Sequence, residues 1–273
     1  MSMRYGTFVT RTLAEAADIA RRHVAGVREI AKQDGTVVTA ADLEIGQHIL
    51  ARVRAAYPDH NVVDEEAGCL DQGSDHTWVV DPLDGTANFA AGLPLYGIMI
   101  GLLWRGQPIA GGMALPAFGD ILVAEKGQGT LRNDQPLRVT QTTDLAGVLI
   151  AYGFLFTAQD TAVLAEEARR VGLLVRAARD IRTSNCLFDT VMVAQGSYGA
   201  HLSLMSRIWD NVAQHIIIEE AGGVYTDFYG QPMDYTRPLT RYDQNYSFCA
   251  AARSVYPGLR ETISRIAAST VEG

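Results

Sequence analysis

Apolar residues at Leu13, Ala17, Ala20, Val24 and Val27 recur in steps of three and four, the spacing of one face of an amphipathic helix. A polar turn, Lys32-Gln33-Asp34-Gly35-Thr36, closes that pattern. A second helical pattern runs through Ile45, Ile49 and Val53 and stops at Tyr57-Pro58-Asp59, which puts Asp42 in its first turn. The period then changes. Asn61-Val62-Val63 reads as a short strand running into Asp64-Glu65-Glu66, and Trp78-Val79-Val80 as a buried strand. Apolar runs over 96–104, 109–115 and 121–125 are separated by Arg105-Gly106 and Phe118-Gly119-Asp120, the pattern of an antiparallel meander. Gly127-Gln128-Gly129 and Asn133-Asp134 add tight turns.

From about residue 145 strands alternate with helices. A strand is predicted over 148–152, helices over 161–171 and 187–194, and a further helix is entered at Ile208-Trp209-Asp210. Ala221-Gly222-Gly223 stops that helix ahead of a strand over 224–226; a strand over 247–252 and a helix over 257–267 close the chain. The change of pattern divides the chain into an α+β region, 1–145, and an α/β region, 146–273. No flexible linker separates them, so a broad shared interface is expected.

Composition narrows the class. With 48% hydrophobic and 20% charged residues in 273, the chain has the make-up of a soluble globular protein. No run approaches the ~20 apolar residues that span a bilayer. Residues 1–11 lack the apolar core of a signal peptide. Three widely spaced cysteines, Cys69, Cys186 and Cys249, form no CxxC pair and point to reduced thiols in a cytoplasmic setting. A net charge of -8 argues against a broad nucleic-acid surface but leaves room for a small phosphorylated ligand.

The chemistry concentrates in Asp81-Pro82-Leu83-Asp84-Gly85-Thr86. Pro82 and Gly85 make a stiff turn, and the two carboxylates it carries repel each other unless a cation lies between them; oxygen ligation of this kind suits magnesium or manganese. Thr86 is placed to cap a helix start, where free N–H groups favour phosphate. The same string also describes an ordinary solvated turn. Likewise Asp42 is well placed as a favourable charge at a helix start, Asp210 as an N-cap, and Asp64 and Glu66 as members of an exposed acidic loop. Glu65, at the end of the short strand and sixteen residues before Asp81, would reach the same sheet edge as Asp81 if the two strands are neighbours. His215, within the helix after Asp210, reads as packing or surface.

Asp81-Pro82-Leu83-Asp84-Gly85-Thr86 with Asn88-Phe89, preceded by Glu65-Glu66 and followed by Trp209-Asp210 and Glu220-Ala221-Gly222-Gly223, resembles the two signature motifs of the inositol monophosphatase family, in the right order. The resemblance covers most of the chain, including Lys32-Gln33-Asp34-Gly35-Thr36 and Val38-Thr39-Ala40-Ala41-Asp42. It implies a layered α/β/α/β/α sandwich and a lithium-sensitive phosphatase with two or three Mg²⁺, for which Mn²⁺ is a substitute. Residue by residue, it implies Glu65, Asp81 and the Leu83 carbonyl as ligands of a first metal, Asp81, Asp84 and Asp210 of a second, and Glu65 beside a third. Asp42 and Thr86 match positions that orient the attacking water, and the N–H groups of Gly85 and Thr86 match a phosphate cradle. Water is then the nucleophile, with no phosphoenzyme. Ser184-Asn185-Cys186-Leu187 stands where many members carry a Gly-Ser-Ala-Ala-like run, and Ser203 where animal-type enzymes carry an inositol-binding acid. Ser184, Asn185, His201 and Ser203 are the candidates for contacts to the leaving group. The family also implies a homodimer. It leaves open a histidinol-phosphate phosphatase, a 3′(2′),5′-bisphosphate nucleotidase, a fructose-1,6-bisphosphatase, or a scaffold that keeps the fold without the chemistry.

Overall fold

The computed structural model describes residues 3–24, 29–31, 37–154 and 160–268; the polar turn expected over 32–36 lies outside them. Helix α1 (Arg4–His23) buries Val9, Leu13, Ala16, Ala17 and Ala20 and begins nine residues before the first position of the predicted stripe. Strands β1 (Glu29–Ala31) and β2 (Val37–Thr39) pair antiparallel, and helix α2 (Ala40–Ala56) follows at once.

The next strands form an eight-stranded sheet: β3 (Asn61–Asp64), β4 (Gly68–Leu70), β5 (His76–Asp84), β6 (Gly97–Trp104), β7 (Gln107–Leu115), β8 (Asp120–Glu125), β9 (Thr130–Arg132) and β10 (Gln135–Leu137), ordered β10-β9-β8-β7-β6-β5-β3-β4. The predicted meander is present as β6-β7-β8, antiparallel throughout. Strands β3 and β5 run parallel, with Asp64 opposite Val80. The five-residue helix α3 (Thr86–Ala90) interrupts the chain between β5 and β6.

The second sheet has five strands. Strands β11 (Leu149–Gly153), β12 (Asp180–Arg182), β13 (Tyr198–Ser206), β14 (Gly223–Thr226) and β15 (Tyr246–Ala252) take the order β12-β11-β13-β15-β14. Helices α4 (Thr161–Ala177), α5 (Phe188–Ala194), α6 (Ile208–Glu220) and α7 (Tyr256–Ala268) connect or follow them. The middle strand of this sheet, β13, has no counterpart among the strands expected from the apolar pattern.

Hydrophobic faces set the layers. Helices α1 and α2 cover one face of the large sheet, while α6 lies against β5, β6 and β7 on the other face and also touches β14 and β15. Nine of the thirteen α6 residues are buried, as a helix between two sheets requires. Helices α4 and α7 pair with each other, and Leu174, Leu259 and Ile263 share a buried cluster with Ile150 and Tyr152 of β11. The architecture is the α/β/α/β/α sandwich that the motifs implied. Glycines let the layers approach: a Cβ at Gly101 would sit 2.6 Å from Val212 Cγ1, and one at Gly112 2.6 Å from Val9 Cγ1.

Candidate metal centre

Strand β5 continues through Pro82 instead of ending before it. Asp81 pairs with Met99 and Asp84 with Gly97, with the register slipping between them, so the Asp-Pro-Leu-Asp segment is a bulged strand end and not a turn after the strand. The proline costs no ladder bond. Val80 faces β3, whose last bond is Glu65 N–H to Val80 O, and two residues on Pro82 faces the same side where β3 has already ended. The bulge is fixed internally by Leu83 N–H donating to Asp81 Oδ1 at 3.1 Å and Thr86 Oγ1 donating to Leu83 O at 2.8 Å.

Asp210 enters from the other half of the molecule. It is the third residue of α6, not the N-cap, and its Oδ2 accepts the N–H of Arg207 at 2.5 Å. Carboxylate oxygens of Asp81, Asp84 and Asp210 all lie within 4.8 Å of one another. Burial, reinforced by Glu65, Asp84, Asp210 and Asp42, pushes the Asp81 carboxyl well above the usual carboxylate range. Burial likewise raises Asp84 and Asp210 to about 7, against the lowering pull of the Leu187 N–H on Asp84 and of the Arg207 N–H on Asp210. Three acids that resist ionising together, with only oxygen donors, fit a hard divalent cation, whose charge would relieve the repulsion.

Glu65 follows β3 and is half-buried; it raises Asp81 and Asp84 electrostatically yet stands outside the tight triad. Its neighbour Asp64 is not the exposed loop acid expected. Asp64 is 1% exposed, its Oδ1 accepts the N–H groups of Glu66 and Ala67 at 2.9 and 2.8 Å, and burial raises its pKa. These bonds close the turn after β3, where Glu65 N–H donates to Val80 O of β5 at 3.2 Å.

Asp42 is the third residue of α2 and closes a reciprocal capping box. Its Oδ2 accepts the Thr39 N–H at 2.8 Å and the Thr39 hydroxyl at 2.5 Å, while Ala41 N–H donates to Thr39 Oγ1 at 3.2 Å. The other oxygen, Oδ1, faces Thr86 Oγ1 at 3.1 Å, across 44 residues of sequence. Thr86 is the first residue of α3, and the N-cap is Gly85 at φ 79, which corrects the cap expected at Thr86. Only glycine fits there: a Cβ would lie 2.8 Å from Leu95 O and 3.0 Å from Cys186 Cβ. The cap is Thr39, and Thr39-x-x-Asp42 ahead of an apolar stripe is the signal in the sequence that marks it.

The four leaving-group candidates divide. Asn185 is exposed at φ 57, with Oδ1 3.6 Å from where a Gly153 Cβ would stand. Ser184 is half-buried, with its hydroxyl 3.3 Å from Cys186 Sγ. Ser203 uses its hydroxyl on its own strand, donating to Met205 O at 2.9 Å and accepting Met205 N–H at 3.3 Å where β13 slips register against β15. His201 is 4% exposed and hydrogen-bonded through Nδ1 to Thr190 Oγ1 at 2.8 Å; burial pushes its pKa down. His215 is packing, as expected, stacked on Tyr225 and bonded to the Tyr235 hydroxyl at 3.1 Å. Among the described residues no helix is long and apolar enough to cross a membrane.

Comparison with known proteins gives consistent matches. The model of the inositol monophosphatase family matches residues 4–266. A protein of Pasteurella multocida named Nus factor SuhB is 33% identical over 201 residues, 73% of this chain and 74% of that protein. A fructose-1,6-bisphosphatase/inositol-1-monophosphatase of Aquifex aeolicus is 32% identical over 202 residues, 74% and 75% of the two chains. Among solved structures, the inositol monophosphatase of Anabaena superposes with a TM-score of 0.81 at 26% identity, covering 96% of this chain and 95% of its own.

Proposed function

The chain belongs to the inositol monophosphatase family, and from that premise we propose that it is a Mg²⁺-dependent phosphomonoesterase that hydrolyses a small sugar or polyol phosphate by direct attack of water. The observation that carries this reading is the convergence of Asp81, Asp84 and Asp210 within 4.8 Å, all with raised carboxyl pKa, beside the Thr86–Asp42 pair. Asp81, Asp84, Asp210, Glu65 and the Leu83 carbonyl would hold the cations. When bound, Mg²⁺ or Mn²⁺ supplies neutralisation of the phosphoryl charge and acidifies water.

The chain's own groups do the rest. Asp42 is the proton acceptor: with Oδ2 tied to Thr39, only Oδ1 remains to take a proton through the Thr86 hydroxyl. Thr86 Oγ1 also reaches Leu83 O, so its single proton is shared between two acceptors, and its lone pairs are left to receive the hydrogen of a water. The N–H groups of Gly85 and Thr86 cradle the phosphoryl oxygens. Burial pushes the Cys186 thiol up, which removes it as a nucleophile and favours water.

For the leaving group, Asn185 is the exposed one of the four candidates, and it is neutral. That favours a hydroxyl-bearing alcohol over the cationic amine of histidinol. The protein acts as a homodimer, and lithium inhibits it by taking the place of the second metal. The test is orthophosphate release with Mg²⁺ over a panel of inositol 1-phosphate, hexitol phosphates, histidinol phosphate, a 3′,5′-bisphosphate nucleotide and fructose 1,6-bisphosphate. Turnover of a polyol monoester is expected; no turnover of any member at any metal concentration would overturn the reading. A second reading, a Nus-factor role without catalysis, rests on the names of relatives such as the Pasteurella protein. It predicts that Asp84→Asn leaves function untouched.

A further inference from the structure

The loop Ser184-Asn185-Cys186-Leu187 belongs to the second half of the chain, yet its backbone is held from three sides. Ser184 N–H donates to Asp189 Oδ2 at 2.8 Å, and Ser184 O accepts Asn88 Nδ2 at 2.9 Å. The same amide nitrogen of Asn88 donates its other hydrogen to Leu95 O at 2.8 Å. Leu187 N–H donates to Asp84 Oδ2. Ser184 therefore has both its N–H and its C=O clamped by side chains, one from α5 and one from α3, and two residues after Asn185 the chain delivers an N–H to a carboxylate of the acidic triad.

The packing leaves this loop little slack. The Gly85 α-carbon faces Leu95 O and Cys186 Cβ so closely that no side chain fits between them. Asp189 is 1% exposed, a buried polar side chain whose Oδ2 is satisfied by the Ser184 N–H. Asn185, at φ 57 between the clamped Ser184 and the packed Cys186, is the loop residue left facing outward. An amide with two donors facing two carbonyls, from segments 96 residues apart in one case, ties the segment after the metal strand to the leaving-group loop.

We infer that Asn88 and Asp189 are positioning residues that hold loop 184–187 in register with Asp84, so that the loop's placement supports cation binding and the orientation of Asn185 together. This rests on the phosphatase reading for the loop's role, but the clamp itself can be tested apart from turnover. Neither residue touches the reacting atoms. Both act through the Leu187 N–H on Asp84, the kind of outer contact whose loss weakens metal binding by about 10–100-fold.

The experiment is calorimetric titration of Mn²⁺ into the whole protein and its Asn88→Ala, Asp189→Ala and Asp189→Asn variants, with thermal melting to verify folding. Asn88→Ala and Asp189→Ala are expected to weaken Mn²⁺ binding about tenfold or more. Asp189→Asn keeps an oxygen to accept Ser184 N–H and is expected to stay within about threefold of the parent. With a substrate in hand, the alanine variants raise KM more than they lower kcat, which mere loss of stability does not do. Amide hydrogen exchange on the parent adds a check that needs no variant: the Ser184 and Leu187 amides resist exchange. Parent-like Mn²⁺ affinity in both alanine variants, or free exchange at both amides, overturns the clamp while leaving the phosphatase reading intact. A parent protein that binds no Mn²⁺ overturns the phosphatase reading instead.

Discussion

The starts of α2 and α6 use the same local device and put it to opposite ends. In each, an aspartate at the third helical position reaches back to the N–H of the residue before the helix: Asp42 to Thr39 at 2.8 Å, Asp210 to Arg207 at 2.5 Å. Beyond that bond their surroundings diverge. Asp42 meets hydroxyl donors, Thr39 and Thr86. Asp210 meets two other carboxylates, Asp81 and Asp84, and burial raises its pKa to about 7. Asp42 is satisfied by hydroxyl and N–H donors, whereas the acids around Asp210 repel it, a repulsion that a cation between them would relieve. Tertiary neighbours, and not the helix start, decide the role.

Asp210→Asn breaks the comparison most severely. It is expected to remove tight divalent-metal binding and to lower phosphatase activity by about 10³-fold or more, beyond the 10–100-fold typical of a supporting contact. Asp42→Asn separates the two starts: the rate falls by about 10²–10⁴-fold, the range for loss of a proton acceptor, while Mn²⁺ binding stays close to that of the parent. Kinetics and calorimetry on the two variants read both quantities.

The pH dependence of stability sharpens the contrast. Folded Asp84 and Asp210 hold their protons up to about 7, whereas the unfolded chain releases them near 3.8. Between those values the unfolded state binds fewer protons, so the metal-free protein loses stability as pH rises through that window and levels off above it. Added Mg²⁺ or Mn²⁺ competes with the protons and should raise Tm more at pH 8 than at pH 5. Melting curves with and without metal at the two pH values check the sign. The smallest effect belongs to Thr39→Ala, which removes the hydroxyl half of the α2 capping box at a cost of about 1 kcal/mol and leaves Asp42 Oδ2 with the Thr39 N–H as its remaining partner there. Its signature is a modest loss of rate at unchanged Mn²⁺ affinity.

Much of this was legible in the chain. The α2 and α6 stripes, the meander and the Asp-Pro-Leu-Asp-Gly-Thr string each carry a local signal. The middle strand β13 escaped because His201 and Ser203 break its apolar run: His201 is satisfied by Thr190 of α5, which in turn meets Gln214 of α6, and Ser203 by the backbone of Met205, partners that exist only in the folded chain. Asp64 was misjudged as solvated because its burial depends on α2: its Oδ2 lies 3.3 Å from where a Gly46 Cβ would stand. The clamp on loop 184–187 joins segments about a hundred residues apart, and no spacing rule reaches that far. The motif placed Asp81 and Asp84 close together, but its proline suggested a turn where the ended neighbour strand permits a bulge.

The most direct measurement is a Mn²⁺ titration, by calorimetry at pH 8, of the parent protein beside Asp42→Asn and Asp210→Asn. Tight binding is expected in the parent and in Asp42→Asn, and its loss in Asp210→Asn. Undiminished binding in Asp210→Asn, or none in the parent, would contradict this expectation.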